Sequence, residues 1–141
     1  MKLFFDSNVW VANFATRGFC EDLVKFTIGM HDQTNLVLIT CPAVHGETIR
    51  ILRDKFRLSA IDLQRVNIVF SRLHTVPNGH HWQPSADFPD PDDAPIIGAA
   101  LAAGTDLFVT GDKALLALDT IENLPIRSPR DTYILLRDLP H

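Results

Sequence analysis

Three stretches of this chain, inside Lys2–Asp6, Leu36–Thr40 and Leu107–Thr110, are apolar at consecutive positions instead of at every second one. Successive side chains of a strand point to opposite faces, so a strand with water on one side alternates polar and apolar residues. A strand that does not alternate has both faces covered, as in a parallel sheet between two helical layers. No other feature of the sequence restricts the fold as much.

The segments between these strands read as the covering helices. Asn8–Ala15 carries Val9, Trp10, Val11, Ala12 and Phe14 and predicts a turn or two. After Gly18, a second helix is expected near Glu21–Met30, burying Leu23, Phe26 and Ile28. Pro42 opens a helix running to about Phe56, in the first turn where a missing N–H costs nothing, with Val44, Thr48, Ile51 and Leu52 on one side. Ser59 is placed to cap a helix to about Leu73. Asp92 or Asp93 is expected to cap a small-residue helix, Ala94–Ala103. Its Gly98-Ala99-Ala100 run would allow close packing on the sheet, and Gly104 would end it. A short helix around Ala114–Leu118, a last edge strand at Ile126 and a final helix from Pro129 with Tyr133, Leu135 and Leu136 complete the pattern. Strands alternating with helices predict one α/β domain over residues 1–141, three layers deep (α/β/α) with a central mainly parallel sheet.

A chain of 141 residues, 46% of them hydrophobic, is large enough for such a core. Cys20 and Cys41 are too few and too far apart for a disulfide framework or a zinc site. The apolar start is cut short by Asp6 and no later run is long enough to span a bilayer, so a soluble cytoplasmic protein with no membrane partner is expected. His74–Pro91 holds Pro77, Asn78, Gly79, Pro84, Pro89 and Pro91, and reads as a short strand at most, then an extended loop. His80-His81 in that loop lack a partner at helical spacing and read as solvated.

The acids are the chemically informative residues. In a parallel sheet all strand ends, and the starts of the helices that follow them, share one edge. Asp6 ends the first strand, Glu47 lies near the start of the helix after Leu36–Thr40, and Asp112 sits just past Leu107–Thr110. Asp93 begins the helix that runs antiparallel to that strand, so it starts at the same edge. Four acids far apart in sequence are therefore expected at the crevice where open α/β sheets bind ligands. By the same reasoning Asp106, at a strand start, and Asp54, late in its helix, point elsewhere. Clustered carboxylates repel one another unless a cation is present, and an all-oxygen set suits Mg²⁺ or Mn²⁺ better than zinc. Such ions activate water and stabilise charge on a phosphodiester. Ser7, Asn8, Asp90, Asp92 and Thr110 are candidates for accessory contacts, with helix-capping or turn roles as the alternative.

Charge is also segregated. Arg50, Arg53, Lys55, Arg57, Arg65 and Arg72 face only Asp54 and Asp62 within their segment, whereas residues 73–112 contain no Lys or Arg. The net charge of −4 argues against a protein held on nucleic acid by overall positive charge, but leaves room for a local phosphate-binding surface. Arg50, Arg53, Lys113 and Arg130 are the candidate phosphate contacts.

Leu3–Trp10, reading L-F-F-D-S-N-V-W, resembles the start of PIN domains, and Pro42–Arg53, with Glu47, is similar to the helix carrying their second acid. Asp90–Leu116, D-P-D-D-A-P-I-I-G-A-A-L-A-A-G-T-D-L-F-V-T-G-D-K-A-L-L, looks like their third and fourth acid segments. The tail I-R-S-P-R-D-T-Y resembles a bacterial subgroup of toxin–antitoxin toxins, the VapC-like proteins. The resemblance implies Asp6, Glu47, Asp93 and Asp112 as metal-binding catalytic acids. It implies an Mg²⁺- or Mn²⁺-dependent endoribonuclease, frequently a homodimer, acting on RNA and restrained by a small antitoxin protein. The long Pro77–Pro91 stretch departs from that pattern.

Two other classes compete. One is a catalytically inert PIN-like module that binds RNA or protein. The other is a phosphotransferase with Asp6 as nucleophile, disfavoured because Asp6-Ser7-Asn8 has no second acid two residues on. No helix-turn-helix pattern supports sequence-specific DNA binding.

Overall fold

The computed structural model describes residues 1–15, Lys25, Thr27 and residues 36–138. Cys20 and the expected helix near Glu21–Met30 lie outside these residues, except for Lys25 and Thr27, which are helical. The chain runs β1 (Lys2–Phe5), α1 (Ser7–Ala15), β2 (Val37–Thr40), α2 (Pro42–Asp54), α3 (Ala60–Ser71) and β3 (His74–Thr75). It continues through a 3₁₀ turn (Pro91–Asp93), α4 (Ala94–Ala102), β4 (Leu107–Val109), α5 (Lys113–Leu116), β5 (Thr120–Ile121), β6 (Leu124–Arg127) and α6 (Pro129–Arg137).

Among the described residues the strands form one sheet in the order β3-β2-β1-β4-β6-β5. All neighbours pair parallel except β5 with β6. Leu3, Phe4 and Phe5 are each 0% exposed although they point to alternate faces, so the sheet is covered on both sides, as the unbroken apolar run required. Phe4 and Phe108 are register partners on adjacent strands and stack at 5.6 Å. Trp10 of α1 is fully buried against Phe5 and Phe70, tying α1 and α3 to the core.

The chain steps outward from β1 to β2 to β3 on one side, then crosses to place β4 on the other side of β1. The switch of direction lies between β1 and β4, where such sheets open a crevice at the carboxyl edge. Asp6 N–H donates to Val109 O across this point at 2.9 Å.

Three expectations need correction. Ile126 is not on the edge, because β6 lies between β4 and β5. The edge strand β5 is joined to β6 by Glu122-Asn123, both with positive φ (47° and 72°). Two left-handed residues between paired Ile121 and Leu124 make the turn that matches strand twist, yet the usual Asn-Gly or Asp-Gly signal is absent. Gly98 does not serve close packing on the sheet. A Cβ there would lie 2.3 Å from Gly79 O, and one on Gly79 would lie 2.1 Å from the Gly98 carbonyl carbon, so the Pro-rich loop packs backbone to backbone on α4. Gly79 N–H donates to Pro95 O, and the Asn78 side chain accepts from Ala43 N–H, which joins the loop to the start of α2.

The third correction concerns the cap before α4. Asp93 occupies the N-cap position but makes no capping bond, while Asp90 accepts from Asp92 N–H at 3.0 Å and supports the 3₁₀ turn. Ser59 caps α3 as expected, accepting from Asp62 N–H. Among the described residues no helix is long and apolar enough to cross a membrane.

Candidate active site

Asp6, Glu47, Asp93 and Asp112 line one cleft of about 430 Å³ at the carboxyl edge of β1 and β4, together with Ser7, Asn8 and Asp90. Each reaches it by a different local device. Asp6 is the first residue after β1 and is only 6% exposed. Glu47 projects from the second turn of α2, whose start is set by Pro42. Asp93 closes the 3₁₀ turn, and because it caps nothing, both its oxygens are available. Asp112 caps α5, its Oδ1 accepting from Ala114 N–H at 2.8 Å and Leu115 N–H at 3.4 Å.

A hydrogen-bond network holds Asp6, Glu47 and Asp112 in place. Asp6 Oδ1 accepts from Ser7 N–H at 2.8 Å. Its Oδ2 accepts from the Thr110 hydroxyl at 2.9 Å and from Asn8 Nδ2 at 3.2 Å. Asn8 Oδ1 accepts from Gly111 N–H and Thr110 Oγ1 from Asp112 N–H, so the turn carrying Asp112 is fastened to the helix that follows Asp6. The Ser7 hydroxyl donates to Glu47 Oε1 at 2.7 Å, linking α1 to α2. Of the accessory candidates, Ser7, Asn8 and Thr110 thus act on the acids directly. Asp90 lines the cleft while supporting its own turn, and Asp92 is exposed and not on the lining. Arg50, Arg53, Lys113 and Arg130 are also exposed and off the lining, with Arg53 paired to Asp54 at 2.8 Å. Asp106, as topology predicts, sits at the far edge and accepts from Lys2 N–H at 2.7 Å.

Burial pushes the Asp6 carboxyl up from 3.8 to about 6; the hydrogen bonds from Thr110 and Ser7 oppose the rise, and the charges of Glu47 and Asp112 add to it. Burial likewise pushes Asp93 up to about 7, reinforced by the charges of Asp6, Asp90, Glu47 and Asp112. Facing carboxylates that resist ionisation form a site short of positive charge. The donors are all hard oxygens, the chemistry that suits Mg²⁺ or Mn²⁺. Among the described residues no group of three or more His, Cys, Asp or Glu side chains is placed so that it could hold a metal ion. The fit therefore rests on the chemistry of the donor set, four carboxylates lining one cleft.

The reading from sequence omitted the apolar part of the cleft lining, Val11, Ala12, Ile51 and Phe56. Helical spacing carried part of that signal: Val11 is one turn beyond Ser7 and Ile51 one turn beyond Glu47, on the same faces. A second cleft of about 520 Å³ lies between the Pro-rich loop and β5, lined in part by Trp82, Phe88, Ile121 and Glu122. Its acids, Asp87 and Glu122, are bonded to Ser85 and Trp82, and it lies apart from the clustered carboxylates.

A mainly parallel sheet with a crevice at its switch point defines the class of protein as a three-layer α/β domain. The chain belongs to the PIN-domain family, whose profile matches residues 2–114. No curated protein matches it in sequence. Among solved structures it is similar to VapBC2 from Rickettsia felis, bound to a DNA fragment from its promoter. That match has a TM-score of 0.62 and 16% identity, covering 91% of this chain and 98% of the other. It is also similar to Mycobacterium tuberculosis VapC20, a Sarcin-Ricin loop cleaving toxin, with a TM-score of 0.61 and 16% identity over 87% of this chain and 99% of the other. The PIN domain endonuclease Utp24 aligns with a TM-score of 0.51 and 20% identity, over 90% of this chain and 84% of that one. At these identities the likeness is one of fold.

Proposed function

We propose that this protein is a divalent-metal-dependent endoribonuclease in which Asp6, Glu47, Asp93 and Asp112 hold Mg²⁺ or Mn²⁺. The observation that carries the reading is the convergence of these acids, from four separate segments, on one cleft where Asp6 and Asp93 are hard to ionise. A bound cation would supply Lewis acidity, lowering the pKa of a water molecule and offsetting charge on the phosphodiester. The protein's own groups do the rest. Thr110 and Asn8 aim the Asp6 carboxylate, Ser7 aims Glu47, and Asp93 offers both oxygens. Two backbone amides engage Asp112 Oδ1 and leave Oδ2 for the cleft.

In its biological setting the protein is the toxin of a toxin–antitoxin pair, a reading supported by its fold neighbour VapC20, itself a toxin; as the family resemblance implies, it acts as a homodimer restrained by a small antitoxin. Arg50, Arg53, Lys113 and Arg130 are its phosphate contacts outside the cleft. A second reading, an inert PIN-like module that binds RNA or protein, draws on the absence, among the described residues, of any group of three or more His, Cys, Asp or Glu placed to hold a metal ion.

The deciding experiment incubates purified protein with single-stranded and structured RNA in Mg²⁺, Mn²⁺ or chelator, beside Asp6→Asn and Asp93→Asn. Metal-dependent cutting lost in both variants is the expected result. RNA binding without cutting by folded, metal-loaded wild type would favour the inert module.

A further inference from the structure

Phe56 is the only exposed phenylalanine, tyrosine or tryptophan among the described residues, at 45% exposure, while Phe4, Phe5 and Phe108 are at 0% and Phe70 at 2%. It does not stand on a distant surface. It lines the carboxylate cleft, as do Val11, Ala12 and Ile51. An aromatic ring left in water costs stability, because burying one is worth a few kcal/mol. The backbone nevertheless holds it at this place. Lys55 and Phe56 N–H groups both donate to Ile51 O at the end of α2, and Leu58 N–H donates to Leu52 O. Between them Arg57 takes a left-handed conformation, φ 53°, which is unfavourable for a non-glycine residue. The neighbouring Arg50, Arg53, Lys55 and Arg57 are exposed. The cleft is thus lined by acids and by an apolar set that includes Phe56, with a basic shoulder of exposed side chains next to Phe56 in the chain.

We propose that Phe56 is a stacking platform for a nucleobase next to the bond that is cut. The inference rests on the nuclease reading and extends it to a residue that positions the substrate. A base can lie on the ring only after leaving its own stack, which costs little in a single strand and several contacts in a helix. The basic shoulder tracks the phosphates, while the ring accepts any base, since every base has a π-face. Phe56 touches substrate without touching the acids, so its loss should leave cation binding intact.

The test compares wild type, Phe56→Ala and Phe56→Trp on short random-sequence RNA, single-stranded and annealed. A parallel arm measures quenching of 2-aminopurine-labelled single-stranded RNA in Mg²⁺ with Asp93→Asn as the uncutting background. Thermal stability with and without Mg²⁺ is followed for every variant. Phe56→Ala is expected to lose roughly 5- to 150-fold in kcat/KM on single strands, the equivalent of one lost stack. Quenching should fall with it, the Mg²⁺-induced gain in Tm should persist, and Phe56→Trp should restore cutting and quenching. Phe56→Ala with wild-type cutting and quenching overturns the proposal, as does a loss that Phe56→Trp does not restore. Wild type that quenches through Phe56 but cuts nothing removes the nuclease reading and leaves the platform standing; wild type that neither cuts nor binds RNA removes both.

Discussion

Replacing Asp6 by Asn should change how the stability of the cation-free protein depends on pH, with a sign and size that follow from the site. The ordinary carboxylate pKa is 3.8 and that of folded Asp6 is about 6. Below the lower value both folded and unfolded chains carry the proton. As pH rises between the two, the unfolded chain releases its proton while the folded one retains it, so stability falls; above about 6 the loss is complete. A shift of about two units at 1.36 kcal/mol each corresponds to about 3 kcal/mol. Asp6 is nearly fully buried, so solvent screening removes little of this. Asp93, raised to about 7, pushes in the same direction and extends the window upward. In Asp6→Asn the Asp6 contribution disappears, and Asp93 loses one of the charges that raise it. The variant's stability relative to wild type should therefore grow by about 3 kcal/mol between about pH 4 and about pH 8. Urea unfolding in chelator at both pH values measures it. Comparing the two pH values cancels the pH-independent cost of mismatching Asn with the donors Thr110 and Asn8. A difference that is flat with pH, or that shrinks as pH rises, would refute the reasoning. Adding Mg²⁺ at the higher pH should stabilise wild type more than the variant.

The other expectations are briefer. Ser7→Ala removes the hydroxyl that orients Glu47 and should lower metal affinity or cleavage by about 10- to 100-fold with little change in folding, readable by Mg²⁺ titration of activity. Gly79→Ala places a Cβ 2.1 Å from the α4 backbone and should destabilise by about 1–3 kcal/mol or more, measured by urea unfolding. Unchanged stability would mean that the loop does not pack on α4 as described. Binding of RNA by the uncutting Asp93→Asn variant should weaken steeply with salt, with a shallower slope after Arg50→Gln and Arg57→Gln; equal slopes would move the phosphate-tracking surface away from the end of α2.

Much of this protein follows from sequence and covalent geometry alone. The unbroken apolar runs demand a sheet covered on both faces, and parallel strands require their carboxyl ends to share an edge. Asp6, Glu47, Asp93 and Asp112 could therefore be brought together without coordinates, and Asp106 and Asp54 set aside. Those inferences depend only on strand direction, which the pattern of helices and strands determines. The tertiary structure decided what depends on atoms meeting across the fold. Ser7 finds Glu47 and Asn8 fastens Gly111 only once β1, β4 and α2 are side by side. The β5–β6 hairpin turns on Glu122-Asn123, whose left-handed backbone is favoured by the pairing around it and not by the residues' own preference. Gly98 was legible as a site of close approach, but the approaching partner, Gly79, comes from a loop whose path no periodicity describes. The exposure of Phe56 is of the same kind: side-chain chemistry predicts burial, and only the tertiary arrangement leaves the ring partly exposed on the lining of the cleft that holds the acids.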